Sequence, residues 1–104
     1  MSPHTLRITI QENAKAATIK LEGRIAGPWV AELDRVWVET APQLALKNLS
    51  IDLRDVTYAD ASGKQTLRGI FAQTGAEMVY STPWTQFLAD QITRSGAQPG
   101  EEEL

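Results

Sequence analysis

The apolar residues of this chain recur with two different periods, and the switch between these periods restricts the fold more than any other feature. Near the N terminus, apolar and polar residues alternate, which is typical of β-strands with one buried face. The alternating small and apolar residues are Leu6, Ile8, Ile10, Ala17, Ile19, Leu21 and Gly23. The polar stretch 12–15 between the two segments suits a hairpin turn, so we expect the two strands to be antiparallel.

After Pro28 the period becomes helical. Proline suits the first turn of a helix because its φ is already fixed. Val30, Leu33 and Trp37 then share one face of the predicted helix. The residue before a proline disfavours the α conformation, so we expect this helix to end before Pro42.

The second half of the chain alternates strand and helix patterns. A strand at 49–56 is followed by a helix with Gly75 as its C-cap, and a short strand at 76–81 follows. Thr82 and Pro83 then suit the N-cap and first position of a third helix that ends near Gly96. The residues expected to face inward from this helix are Trp84, Phe87, Leu88 and Ile92.

The resulting order is ββαβαβα, which predicts a single α/β domain at residues 5–96. Strands that alternate with helices indicate parallel pairing through crossover helices, which lie on one side of the sheet when the crossovers share one hand. We therefore expect a mixed sheet of about four strands with the helices packed mainly on one face. The acidic segment 97–104 has no apolar pattern, and we expect it to be a disordered tail.

Composition excludes several classes of function. The 104 residues carry a net charge of −3, so the basic face that nucleic acid requires is not expected. The absence of cysteine excludes disulfides and thiolate metal sites. We find no apolar run long enough for a signal peptide or a membrane-spanning helix, and we expect a cytoplasmic protein without direct membrane insertion.

The residues of catalysis are largely missing from the sequence. The only histidine is His4, close to the N terminus, and we find no metal-ligand pattern or phosphate-binding glycine loop. Asp52 and Asp55 lie near the end of a strand, where we expect solvated charges. We therefore predict no catalytic residues, no metal and no cofactor, and we do not expect an enzyme.

The turn formed by Asp60, Ala61, Ser62 and Gly63 lies between the third strand and the second helix. Either Asp60 or Ser62 would serve as the N-cap, and Gly63 could relieve a tight turn. Ser62 could instead accept a phosphate, which would add nearly two negative charges beside the free N–H groups of a helix start, with Lys64 softening the local charge.

Trp29 is a second candidate for recognition. It follows Pro28 at the start of the first predicted helix, where its side chain could be partly exposed. Tryptophan is enriched at protein interfaces, so Trp29 is a possible interface residue.

Residues 49–71 resemble the signature of STAS domains, the fold of bacterial anti-sigma factor antagonists. The Asp52-Leu53 pair and the turn at 60–63 match that signature, and Leu21 and Gly23 match its second strand. The resemblance covers roughly residues 5–96. It implies a protein-binding module without enzymatic activity.

In the antagonist branch, the resemblance implies that Ser62 is the phosphoacceptor. The unphosphorylated protein would bind a serine kinase that doubles as an anti-sigma factor, phosphorylation would break that complex, and a phosphatase would reset it. Ala61 and Lys64 depart from the pattern, in which serine or threonine and an apolar residue are common, and they change the face that a partner meets. The alternative is an accessory subunit of a lipid-transport ABC complex, bound to a permease, with Ser62 only capping the helix.

Overall fold

A computed structural model describes residues 6–44 and 46–95, and within them the predicted order ββαβαβα is confirmed. The strands are β1 (Arg7–Glu12), β2 (Ala16–Ile25), β3 (Asn48–Ala59) and β4 (Glu77–Val79), and the helices are α1 (Pro28–Leu44), α2 (Ala61–Thr74) and α3 (Pro83–Ser95). Three predicted features lie outside the described residues: the two ends of the predicted domain at 5–96, the position of His4, and the predicted disordered tail at 97–104.

The four strands form one mixed sheet in the order β1-β2-β3-β4. β1 and β2 form the predicted antiparallel hairpin, while β3 pairs in parallel with both β2 and β4. Parallel neighbours need a crossover connection, and α1 and α2 supply the two crossovers. The result is the predicted α/β architecture.

The core lies between one face of the sheet and the layer of helices. In β2, Ala17, Ile19, Leu21 and Ile25 are buried, while the residues between them are partly exposed. The helices pack on β2 and β3 and on each other, with α2 between α1 and α3. Alternation of buried and exposed residues places the helices on one face and leaves a polar face on the other side.

β3 extends to Ala59, three residues beyond the predicted end at Val56. Its pairing with β2 has two register shifts, one between the pairs Lys20–Asp52 and Glu22–Asp55 and one just after Val56. Each shift inserts an extra residue in β3, as a β-bulge does, so the buried residues change from a spacing of two to a spacing of three. This spacing keeps Val56 and Ala59 in the core and delivers the chain to the start of α2.

The predicted end of α1 before Pro42 is wrong, because the helix continues through Pro42 to Leu44. Leu44 is fully buried in the core, and its carbonyl accepts a hydrogen bond from the Lys47 N–H at 3.0 Å. Burial of a leucine side chain is worth about 2 kcal/mol, which is of the same order as the roughly 3 kcal/mol that a proline costs inside a helix. The local preference is therefore overridden by packing.

Both predicted caps of the later helices are confirmed. Gly75 ends α2 with a φ of 67°, and its N–H donates to the carbonyl of Phe71 at 2.7 Å. At the start of α3, the Thr82 hydroxyl oxygen accepts a hydrogen bond from the Thr85 N–H at 3.1 Å.

Phe87 does not face inward as predicted, because 53% of it is exposed. The inner face of α3 is formed instead by Thr85, Leu88, Ala89 and Ile92. Trp84 lies at the margin of that face, partly buried against the core, and its ring contacts the ring of Phe87 at 6.5 Å between centroids. One turn of helix therefore presents an aromatic pair at the surface.

Candidate functional site

The start of α2 is capped by Asp60, which settles the choice that the sequence left open. Asp60 is extended, with φ −82° and ψ 179°, and its Oδ1 accepts a hydrogen bond from the Gly63 N–H at 2.7 Å. Its own carbonyl accepts the first bond of the helix, from the Lys64 N–H at 3.0 Å. This is the geometry of an N-cap residue.

Asp60 also joins the starts of two helices. Its Oδ2 accepts a hydrogen bond from the Gly27 N–H at 3.2 Å, just before α1. Its own N–H donates to the carbonyl of Ile25 at the end of β2, at 3.1 Å. The carboxylate therefore fixes α2 relative to β2 and α1.

Gly27 is a site residue that the sequence analysis missed. Its φ of +59° lies in the left-handed region, which a glycine adopts without strain. The available signal was a glycine directly before a proline at a helix start, at the same end of the sheet as the Asp60 turn.

The pKa of Asp60 lies below its ordinary value. The largest cause is the hydrogen bond from the Gly63 N–H, and the Ser62 hydroxyl and the Gly27 N–H act in the same direction, while burial opposes them. A carboxylate that accepts several N–H and O–H donors is stabilised in its charged form. Asp60 is therefore an anion at neutral pH.

Gly63 packs closely against the end of β2. A Cβ atom at this position would lie 2.5 Å from the carbonyl oxygen of Ile25 and 2.8 Å from its Cγ2 atom. Any residue larger than glycine would therefore push the first turn of α2 away from the sheet. The predicted role of Gly63 in a tight turn thus has a specific cause, which is contact with a backbone carbonyl that also binds the Asp60 N–H.

Ser62 is exposed, and its hydroxyl donates to Asp60 Oδ1 at 2.9 Å. The side chain lies at a groove of about 310 Å³ between α1 and α2. The groove is also lined by Asp34, Trp37, Gln65, Thr66, Gly69, Ile70 and Gln73. Ser62 therefore offers an accessible hydroxyl beside a surface that a partner could contact.

Lys64 and Ala61 lie on a different side of α2. Together with Tyr58, Arg68 and Trp84, they line a second groove of about 400 Å³ between α2 and α3. Lys64 is partly exposed, as expected for a long side chain with its charge directed to solvent. The two departures from the STAS pattern therefore change the α2–α3 groove and not the groove at Ser62.

Trp29 is the second residue of α1 and is partly buried against the core. It lies two residues after Gly27, so it is close in sequence to the point where Asp60 joins the two helix starts. Its role as an interface residue stays a prediction.

Asp52 is not the solvated charge that the sequence predicted, since it is 4% exposed. Both of its carboxylate oxygens accept hydrogen bonds from the Arg54 guanidinium, at 3.0 and 2.9 Å. This pairing lowers the pKa of Asp52, and the charge of Lys20 contributes in the same direction. The carboxylate is therefore satisfied by its own strand, so a structural role accounts for it.

Within residues 6–44 and 46–95, no group of three or more histidine, cysteine or acidic residues is arranged to hold a metal ion. In the same part of the chain, no helix has the length and apolar character needed to cross a membrane.

Comparison with known proteins supports the fold. No protein-family model matches the sequence, and no curated protein matches it. A solved structure does match: the crystal structure of an anti-sigma factor antagonist from Mycobacterium paratuberculosis aligns with a TM-score of 0.72 and 17% identity, over 94% of this chain and 86% of that chain. The chain has the STAS fold. The fold predicted from the Asp52-Leu53 pair and the turn at 60–63 is thus confirmed.

Proposed function

We propose that this protein is a regulatory protein-binding module of the anti-sigma factor antagonist type, with Ser62 as its phosphoacceptor. The observation that carries the proposal is the exposed Ser62 hydroxyl, held by Asp60 at the first turn of α2 and facing a groove. The STAS fold, which the chain shares with a solved anti-sigma factor antagonist, supports the same function. The protein acts by binding and catalyses no reaction itself.

Phosphorylation would change the charge of the turn directly. Transfer of a phosphoryl group to Ser62 Oγ removes the proton that now binds Asp60 Oδ1. It also places close to two negative charges beside a carboxylate whose pKa is lowered and which is already ionised. Repulsion would turn the phosphoserine side chain away from Asp60.

The groove at Ser62 offers little to neutralise that charge. It contains an acidic residue, Asp34, and its other polar residues are glutamines and a threonine. One N–H donor of the helix start, that of Gly63, already binds Asp60. A phosphate on Ser62 would therefore weaken the binding of any partner that contacts this surface with apolar or acidic groups.

The partner proposed for the unphosphorylated form is a serine kinase that also acts as an anti-sigma factor, and a phosphatase would restore the hydroxyl. We also propose a cytoplasmic location, because a kinase of this kind needs ATP. The surface proposed for the kinase includes the turn at 60–64 and the α1–α2 groove, with Trp29 at the start of α1 as a further contact.

The test is incubation of the purified protein with its kinase and Mg-ATP, followed by intact-mass analysis. One added phosphate is expected for the wild type and for a matched control, Ser81→Ala, since Ser81 is also exposed next to a helix start. Ser62→Ala should remain unmodified. A phosphate on Ser62→Ala would overturn the assignment of the phosphoacceptor.

A second candidate is the accessory subunit of a lipid-transport ABC complex, bound to a permease. The hydrogen bond from the Ser62 hydroxyl to the capping carboxylate of Asp60 favours this second function, because a structural role for the hydroxyl needs no kinase. Under this function, Ser62→Ala and Ser62→Asp should bind the same partner as the wild type. Loss of partner binding in Ser62→Asp alone would instead support the phosphorylation switch.

A further inference from the structure

One edge of the sheet is long and regular. β1 is the outermost strand, and its six residues pair with β2 without a register shift. The opposite edge strand, β4, has only three residues. Within the described residues no strand lies beyond β1, and the helices pack mainly on β2 and β3.

The hairpin fixes which N–H groups of β1 point outward. The Asn13 N–H donates to the carbonyl of Ala16 at 2.9 Å, so residue 13 directs its hydrogen bonds towards β2. In an antiparallel pair this direction alternates with every residue. Thr9 and Gln11 therefore bind β2, while the N–H and C=O groups of Ile8 and Ile10 point away from the sheet.

Among the described residues, this edge lacks most of the features that usually prevent pairing with another strand. Natural proteins protect edge strands with proline, lysine, bulges or short length. Residues 7–12 contain no proline, lysine or bulge, and their two charges, Arg7 and Glu12, lie at the two ends. Ile8 and Ile10 face the core but remain only partly buried.

We propose that two copies of this protein associate through antiparallel pairing of their β1 strands. In the register that we infer, a two-fold axis passes between the two Thr9 residues, and Ile8 of each copy pairs with Ile10 of the other. Ile8 and Ile10 then exchange their outward hydrogen bonds, and their side chains meet on the core face. On the polar face, Thr9 pairs with Thr9 and Arg7 pairs with Gln11, so like charges do not face each other directly.

A register shifted by one residue would place inward and outward side chains opposite each other and is excluded by the pleat. A shift by two residues keeps the faces matched and places the axis at Ile10. It also sets Ile8 against Glu12, whose carboxylate is 3.0 Å from the Lys47 ammonium in the monomer. A shift by two residues in the opposite direction places the axis at Ile8 and pairs only residues 7–9 of β1. The register centred on Thr9 pairs more of the strand and sets the two isoleucines against each other, so it is favoured.

The paired strands lie away from the proposed switch. β1 is separated from β3, which leads to the turn at Ser62, by β2. The inference therefore does not depend on phosphorylation, and a dimer would carry two such turns.

Single cysteines test the pairing, because the chain contains no natural cysteine. Opposed residues of a non-hydrogen-bonded antiparallel pair have Cα atoms about 4.5 Å apart, within the range that a disulfide spans. Thr9→Cys should give a disulfide-linked dimer under mild oxidation. Thr18→Cys, on the same polar face of β2 but away from the edge, is the matched control and should remain largely monomeric.

Equal cross-linking of the two variants would overturn the proposal, since it would indicate random collision. Faster cross-linking of Ile10→Cys than of Thr9→Cys would overturn the register centred on Thr9.

Amide exchange of the wild-type protein supplies a test without substitutions. The N–H groups of Ile8 and Ile10 should become protected as protein concentration rises, whereas those of Thr9 and Gln11 should be protected at every concentration. Rapid, concentration-independent exchange at Ile8 and Ile10, together with a monomeric mass at the highest concentration in sedimentation equilibrium, would contradict the pairing.

Discussion

Replacement of Gly63 by alanine should destabilise the protein, although the same substitution normally stabilises a helix. In a helix interior, alanine is favoured over glycine by about 1 kcal/mol. At Gly63, however, the new Cβ would lie 2.5 Å from a backbone carbonyl oxygen of Ile25. That oxygen belongs to β2 and cannot rotate away as a flexible side chain could.

The cost can be separated from helix propensity with Gly69 in the same helix. Nothing lies within 4 Å of a Cβ at Gly69, so Gly69→Ala should gain the propensity term without a clash. Because both variants share that term, the difference between them is the cost of overpacking, about 1–3 kcal/mol. The absolute change should be a stabilisation of up to about 1 kcal/mol for Gly69→Ala and a net loss of up to about 2 kcal/mol for Gly63→Ala.

Urea denaturation followed by tryptophan fluorescence measures both variants, with the m-value as a check that the unfolding transition is unchanged. A difference of 1 kcal/mol corresponds to about 4–8 °C in Tm for a domain near this size. Equal free energies of unfolding for Gly63→Ala and Gly69→Ala would refute the reasoning. That result would mean that the start of α2 can move away from β2 at little cost.

Three further predictions concern the same structure. Asp60→Ala should lower the free energy of unfolding by about 1 kcal/mol, the usual cost of a lost N-cap, whereas Ser62→Ala should cost clearly less. Denaturation of both variants tests this order, and a larger loss for Ser62→Ala would show that Ser62 is the cap. Pairing with Arg54 lowers the pKa of Asp52, so the stability that this carboxylate contributes is complete above its ordinary pKa and is lost as pH falls through the lowered value. Asp52→Asn should therefore have a smaller free energy of unfolding than the wild type at neutral pH and should lose less of it on acidification. A pH series of denaturation curves checks this, and an unchanged acid slope would contradict it. Trp84→Phe removes an indole N–H that donates to the carbonyl of Val56 at 3.0 Å, and it should cost about 1 kcal/mol by thermal unfolding; no loss would mean that water replaces this bond.

Periodicity was sufficient to predict the elements because each element buries one face. The two leading strands, the three helices and the caps at Gly75 and Thr82 all follow from local patterns, and the structure confirms them. Local patterns were insufficient where packing opposed them. Burial of Leu44 extends α1 past Pro42. The prediction that Phe87 faces inward was wrong because helical spacing alone does not define the edge of the buried face.

The candidate site was predicted in part. The turn at 60–63 was identified from its residue types, but the sequence could not decide between Asp60 and Ser62 as the cap. The bond from Gly27 to Asp60 joins residues 33 positions apart in the chain, so it depends on how the strands pair. The two bulges of β3 could not be predicted from local patterns either, because they arise from pairing with β2. They place Asp60 at the end of the sheet.

The most direct test of the central claim is the affinity of the kinase partner for the protein with and without a phosphate on Ser62. Genetic incorporation of phosphoserine gives a uniformly modified protein, and phosphoserine at Ser81 supplies a control of equal charge. The proposed function predicts that phosphoserine at 62 weakens binding by about tenfold or more, or about 1.4 kcal/mol, while phosphoserine at 81 leaves binding unchanged. Equal affinities for the unmodified protein and for the form phosphorylated at Ser62 would contradict the account.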